Sequence, residues 1–195
     1  MVPTRQRILA TSIDLFGARG VEAVSLDEIA RAVGVRKQTV LYWFPSKDEL
    51  VDEVLSATAA ELVAVIDAAV RSAPDGPLER IDAVITAVFR PAVRRPAMLG
   101  LVRELGRLSP RHADGLREHL APLIERAVAY LAAEMESGRL RRADPNLVAA
   151  LAYATVTGIA TEPEVLRAVD WSADAAGLRR LRAEMRSFVR AALAP

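Results

Sequence analysis

The chain has no cysteine. Disulfides and thiolate metal sites are excluded, and the redox compartment leaves no trace. Lysine is almost missing: Lys37 and Lys47 are the only lysines among 26 basic residues. Aromatics are scarce, with 4 Phe, 3 Tyr and 2 Trp in 195 residues. Histidine is limited to His112 and His119. A metal site needs about three or four ligands, and nothing in the sequence supplies the rest, so no metal and no cofactor are expected. Neither sign of charge dominates, 26 basic against 25 acidic residues, so any basic surface has to be local. No uncharged run reaches the ~18 apolar residues of a membrane span. The N-terminus carries Asp14 inside its apolar stretch and no small-residue cleavage pattern, unlike a signal peptide. A soluble, cytoplasmic protein is expected. No Gly-rich phosphate loop, Gly-x-Ser-x-Gly elbow or His-carboxylate cluster is present, so an enzyme is not.

What is there is helix material. The chain is 52% hydrophobic, enough for one large domain or two small ones. Strand signals are nearly absent, whereas helix-start signals recur. Thr4 precedes Ile8, Leu9, Ile13 and Phe16 at helical spacing, and Gly20 ends that run. Ser25-Leu-Asp-Glu28 and Ser46-Lys-Asp-Glu49 are capping boxes, in which a hydroxyl accepts the third amide and the glutamate reaches back. Ser109-Pro110 and Asp144-Pro145 pair a cap with proline at the first helical position. Further helices are expected over 78–89, ended or kinked by Pro91, over 97–108, over 110–137 with a bend near Pro122, over 147–160 and over 174–193. The predicted fold is all-α with about nine helices. Residues 1–46 are expected to form a three-helix DNA-binding domain, and 47–195 a helical domain for ligand binding and dimerisation.

One block concentrates the scarce residues. GVRKQTVLYWFPSK, residues 34–47, holds both lysines and the run Tyr42-Trp43-Phe44. A capped helix from Ser25 is followed by Gly34-Val35 and a second short helix. Ala30 is small enough for the second helix to cross close by, Gly34 permits a positive-φ turn, and Val40 packs the second helix on the first. This is helix-turn-helix spacing, in which the second helix enters the major groove of DNA. Lys37 and Gln38 then face base edges. Arg36, Thr39, Tyr42 and Lys47 are expected to face phosphates with Trp43 at the rim, and Ser25 marks a helix start where amides favour an anion. The bland alternative is a small three-helix packing module with a solvated charged edge.

Ile8-Leu9-Ala10, Leu15-Phe16, Gly20, Ser25-Leu-Asp-Glu-Ile-Ala30, Gly34-Val35, Lys37, Thr39 and Phe44-Pro-Ser-Lys-Asp-Glu-Leu50 together resemble the TetR family of bacterial transcriptional regulators. The resemblance covers about a quarter of the chain; the rest is similar only in architecture. It implies a homodimer on a palindromic operator, released by a small effector. One departure stands out: family members usually carry Thr-Leu-Tyr where this chain has Thr39-Val40-Leu41, with Tyr42 one position later. The phosphate contact of that tyrosine then falls to Tyr42 or to Trp43.

Beyond residue 46 the reading is broader. Inner-face candidates for an apolar effector pocket are Ile66, Phe89, Met98, Val102, Leu105, Leu123, Ala127, Tyr130, Leu151, Thr155 and Trp171, though the same residues would equally make a plain core. Leu147, Ala150, Leu151, Ala154 and Gly158 lie on a helix apolar on almost every face, which needs burial all round. Leu178, Leu181, Met185 and Phe188 recur at steps of three and four, a seam for a partner helix. These two sets are the expected dimer interface. Two other functions stay open: a DNA-binding protein governed by a protein partner with no small effector, and an all-helical enzyme or lipid carrier.

Overall fold

The computed structural model describes residues 3–94, 101, 104, 109–161, 170–171 and 174–195, with 91–94 and 156–161 as backbone only. Among the described residues every regular element is a helix: α1 (Thr4–Arg19), α2 (Leu26–Val33), α3 (Lys37–Trp43), α4 (Lys47–Ser72), α5 (Pro77–Arg94), α6 (Pro110–Glu136), α7 (Pro145–Thr161) and α8 (Ala175–Leu193). The ninth expected helix, 97–108, falls mostly outside them; Leu101 and Glu104 are described there, and both are helical. Residues 1–60 with 95–119 form one compact unit, and 61–94 with 120–195 form another. The expected boundary at residue 46 is the start of α4, whereas the compact units part within that helix.

In the first unit, Ile8, Ile13 and Phe16 of α1 meet Ile29, Ala30 and Val33 of α2, Val40 of α3 and Leu50, Val51 and Val54 of α4 in one core. Local chemistry sets the helix ends. The Glu28 amide donates to Ser25 Oγ, and the Ser25 amide donates back to Glu28 Oε2 at 2.9 Å. Glu28 is held as a carboxylate, its pKa lowered from 4.5 to about 2, chiefly by that Ser25 amide, then by Arg19 and the Ser25 hydroxyl. Gly34 takes φ 76° and ψ 37°, the left-handed cap, which costs a residue with a Cβ about 1–2 kcal/mol. The Glu49 amide donates to Ser46 Oγ at 3.1 Å, starting α4.

Several contacts in this unit have no local signature. Ser12 is fully buried because its hydroxyl donates to the Ile8 carbonyl at 2.8 Å. Glu104, also buried, accepts the Val21 amide at 3.0 Å, clamping the turn between α1 and α2. His119, exposed on α6, bonds through Nε2 to Ser56 Oγ at 2.9 Å and through Nδ1 to the Gly115 carbonyl at 2.7 Å. The Nδ1 atom is therefore the donor, and Nε2 accepts from the serine when the ring is neutral. His112 Nε2 lies 3.4 Å from Asp52 Oδ1, too poorly aligned for a hydrogen bond.

The second unit departs from expectation in two places, α5 and α7. Helix α5 runs on through Pro91 to Arg94; proline forfeits one backbone hydrogen bond, and the helix resumes. Glu134 is buried and chelated by Arg139 through Nε at 2.6 Å and Nη2 at 2.8 Å, a fork that matches a carboxylate. Over its described side chains, 145–155, helix α7 is buried on one side only: Val148 and Ala149 pack against Leu131, Met135, Leu140 and Leu193, while Leu147, Leu151 and Tyr153 stand exposed. Pro122 lies inside α6, which is continuous across it.

Candidate nucleic-acid interface

Helix α3 is seven residues long and is anchored by Val40 and, just past its end, Phe44, both buried in the first unit's core. A helix pinned on one side presents the other. Residues four apart are offset by about 40° around the axis, so Gln38 and Tyr42 share the face opposite Val40. Both are exposed, Tyr42 to 78%. Trp43 is 42% exposed, and its ring meets Tyr42 edge-on, centroids 5.1 Å apart and planes at 83°. Leu41, at the position where a tyrosine is usual, is half-buried.

The expected contact residues sit together at this tip. Arg36 and Lys37 are exposed and Thr39 half-buried. Lys37 Nζ lies 2.7 Å from Asp27 Oδ2, in a pair open to solvent on both sides. Lys47 Nζ donates to the Glu22 carbonyl at 3.3 Å. Ser25 is exposed, but its hydroxyl and amide are engaged by Glu28. Arg7, on α1, donates to the Val33 carbonyl, which ties α1 to the end of α2. At the tip Lys37 is therefore placed by a carboxylate and Lys47 by a carbonyl, while Arg36 stands exposed. None is buried, so each can be exchanged to a phosphate or base at small cost.

Residues 8–54, the part that carries this tip, match the family model described as bacterial regulatory proteins, tetR family. The chain is a TetR-family transcriptional regulator. It is 26% identical over 162 residues to the HTH-type transcriptional regulator EthR of Mycolicibacterium smegmatis, covering 83% of this chain and 73% of that one. It is 32% identical over 145 residues to TcmR of Streptomyces glaucescens, 71% of this chain and 58% of TcmR. In fold it matches a transcriptional regulator from Saccharomonospora viridis in complex with choline, with a TM-score of 0.78 at 19% identity over 98% of this chain and 97% of that one. The regulator's DNA-binding part is the matched segment, and α3 is its second helix-turn-helix helix.

The other sequence-derived residues are scattered. Of the pocket set, Ile66 and Phe89 are buried, and Trp171 packs beside Phe89 and Met185. Tyr130 is half-buried, with Arg80 over its ring at 5.7 Å; Leu123 is half-buried. Ala127, Leu151 and Thr155 are exposed and enclose nothing. Met98, Val102 and Leu105 lie outside the described residues. The interface set divides. Leu147, Ala150, Leu151, Ala154 and Phe188 are exposed, Phe188 to 72%. Leu178 and Met185 are buried in their own unit and Leu181 half-buried, so these three do not form an open seam. Gly158 is helical in α7, its surroundings outside the described residues. Among the described residues no group of three or more His, Cys, Asp or Glu could hold a metal, and no helix is long and apolar enough to cross a membrane.

Proposed function

We propose that this regulator is a cytoplasmic repressor that docks α3 in the major groove of a palindromic operator as a homodimer. The observation that carries the reading is the pinning of α3 by Val40 and Phe44, which leaves Gln38 and Tyr42 outward on one face with Lys37 beside them. Lys37 and Gln38 read base edges, lysine on guanine acceptors and glutamine on adenine. Tyr42 takes the phosphate contact that Leu41 cannot make, because it is the more exposed of the two aromatics, 78% against 42% for Trp43; Trp43 braces its ring. Arg36, Thr39, Lys47 and the α2 start at Ser25 complete the backbone grip, which fixes register.

The dimer reading rests on the exposed apolar stripe Leu147, Ala150, Leu151 and Ala154 of α7, spaced three and four apart, and on Phe188 of α8. A contiguous exposed apolar surface marks a partner site. The effector reading places a small, mostly apolar molecule among the inner-face residues around Phe89 and Trp171. The choline bound by the Saccharomonospora viridis neighbour supports a ligand site in a chain of this fold. Effector and DNA then disfavour each other by the same factor. The test is selection of an operator from random duplexes, followed by titration. Selective binding to a palindrome, relieved by a small molecule, supports the repressor. Sequence-independent binding alone contradicts it.

A further inference from the structure

Among the described residues of the first unit, Glu104 is the one buried charged side chain. Burying a carboxylate is costly unless it is hydrogen-bonded. Here it holds a turn. Its Oε2 accepts the Val21 amide at 3.0 Å, across 83 positions of chain. The approach is close: Gly20 takes φ 86°, and a Cβ added there would stand 3.1 Å from the same oxygen. Leu101, three residues before Glu104 and also helical, is buried in the core that holds Val21, Val24, Val40 and Phe44. Two further side chains reach the turn between α1 and α2. Lys47 Nζ donates to the Glu22 carbonyl at 3.3 Å, and Arg19 Nη2 donates to the Ala23 carbonyl at 3.2 Å. Both of those bonds are exposed, whereas the Glu104 bond is buried. Lys47 is also a proposed phosphate contact, so on DNA it leaves Glu22. Glu104 stays, because neither water nor phosphate competes for a buried bond.

We propose that Glu104 is a positioning residue for operator recognition: by holding the Val21 amide it fixes the α1–α2 turn, and with it the angle at which α2 presents α3. The inference rests on the reading that α3 docks in the groove. Glu104 lies outside residues 8–54, so the geometry of the reading head is set partly by chain beyond the segment that carries it. Distance dependence says what its loss would cost. Hydrogen bonds to base edges weaken steeply once misaligned. Attraction between a cation and a phosphate falls only as the inverse of distance. A head released from its turn therefore loses selectivity before it loses general affinity for DNA.

Two variants of the full chain test this. Glu104→Met keeps the length of the side chain and removes the acceptor, whereas Glu104→Gln keeps a carbonyl oxygen. Affinities for a selected operator duplex and a scrambled duplex are measured well below each variant's melting temperature, where circular dichroism shows it folded. Glu104→Met is expected to lose at least about tenfold in operator affinity, the scale of one hydrogen bond to a charged group, with the scrambled duplex bound as before. Glu104→Gln is expected to restore wild-type selectivity. If Glu104→Met does not fold, Glu104→Asp, which draws the acceptor back by one methylene, takes its place with the same expected outcomes. Selectivity unchanged in the folded variant means that Glu104 only packs, and the proposal falls. Equal losses on both duplexes overturn it as well, because they report general damage. Failure of Glu104→Gln to rescue shows that charge matters and the acceptor does not, which overturns the amide hold. A wild-type chain without selectivity defeats the docking of α3 and this inference with it; a selective wild type beside a selective Glu104→Met defeats this inference alone.

Discussion

On the proposed docking, Lys37 has to leave Asp27 before it can reach a base, and the magnitudes favour that exchange. An exposed ion pair is worth about 0–1 kcal/mol, whereas a good base contact discriminates by about 1–3 kcal/mol. Lys37→Ala combined with Gln38→Ala is therefore expected to erase most of the preference for operator over random duplex. Arg7→Ala should weaken both alike, because Arg7 braces the Val33 carbonyl and touches no groove. Competition titrations check this, and equal loss of selectivity in the two proteins refutes the base-reading assignment. Tyr42→Phe removes one hydrogen bond to a charged phosphate, about 1.5–3 kcal/mol. Operator and non-operator affinities should fall together by about 10- to 100-fold, and Trp43→Phe should do less. A larger loss in Trp43→Phe would move the phosphate contact to Trp43.

Helix ends carry the next set of expectations, and they are also where sequence and structure agree best. Ser25→Ala deletes a cap worth about 1 kcal/mol, and the melting temperature should drop accordingly. The pH dependence has a definite sign. Glu28 is depressed from 4.5 to about 2 in the folded chain, so its contribution is complete above about pH 4.5 and is lost as pH falls toward 2. Glu28→Gln should flatten the melting curve over that window; an unchanged slope would show that the capping box is not formed. The Ser25 box, the Ser46 cap, the Gly34 turn and the start of α8 at Asp174, which accepts the Gly177 amide at 2.7 Å, were legible because each is written within four residues. Glu104 on Val21, Asp82 between Arg186 and Arg190, and Glu134 under Arg139 were not. Composition records a charge but not the distant donor that lets it be buried. Pro91 does not end α5, one of the two outcomes expected of it, for a related reason: propensity counts one lost hydrogen bond and does not see what the rest of α5 gains by packing on α8.

At the scale of the whole molecule, the α7 stripe was legible as apolar but not as exposed. Periodicity cannot tell a face covered by its own chain from one kept for a second copy. The regulator is expected to be a dimer by light scattering at micromolar concentration. Leu151→Arg should yield monomers of unchanged helicity, since Leu151 is 68% exposed and supports no core of its own. A wild-type monomer would remove the basis for a palindromic site. Dimeric Leu151→Arg protein would move the interface away from this stripe.

The central claim is that α3 presents a selective reading head. The most direct measurement is the affinity of the full chain for a duplex selected from random sequence, against a scrambled duplex, across a salt series. Specific binding in the range of about 10⁻⁸–10⁻¹¹ M is predicted, falling linearly on a log–log plot as phosphate contacts release counterions, with the scrambled duplex at least about a thousandfold weaker. Equal affinity for the two duplexes at every salt concentration would contradict it.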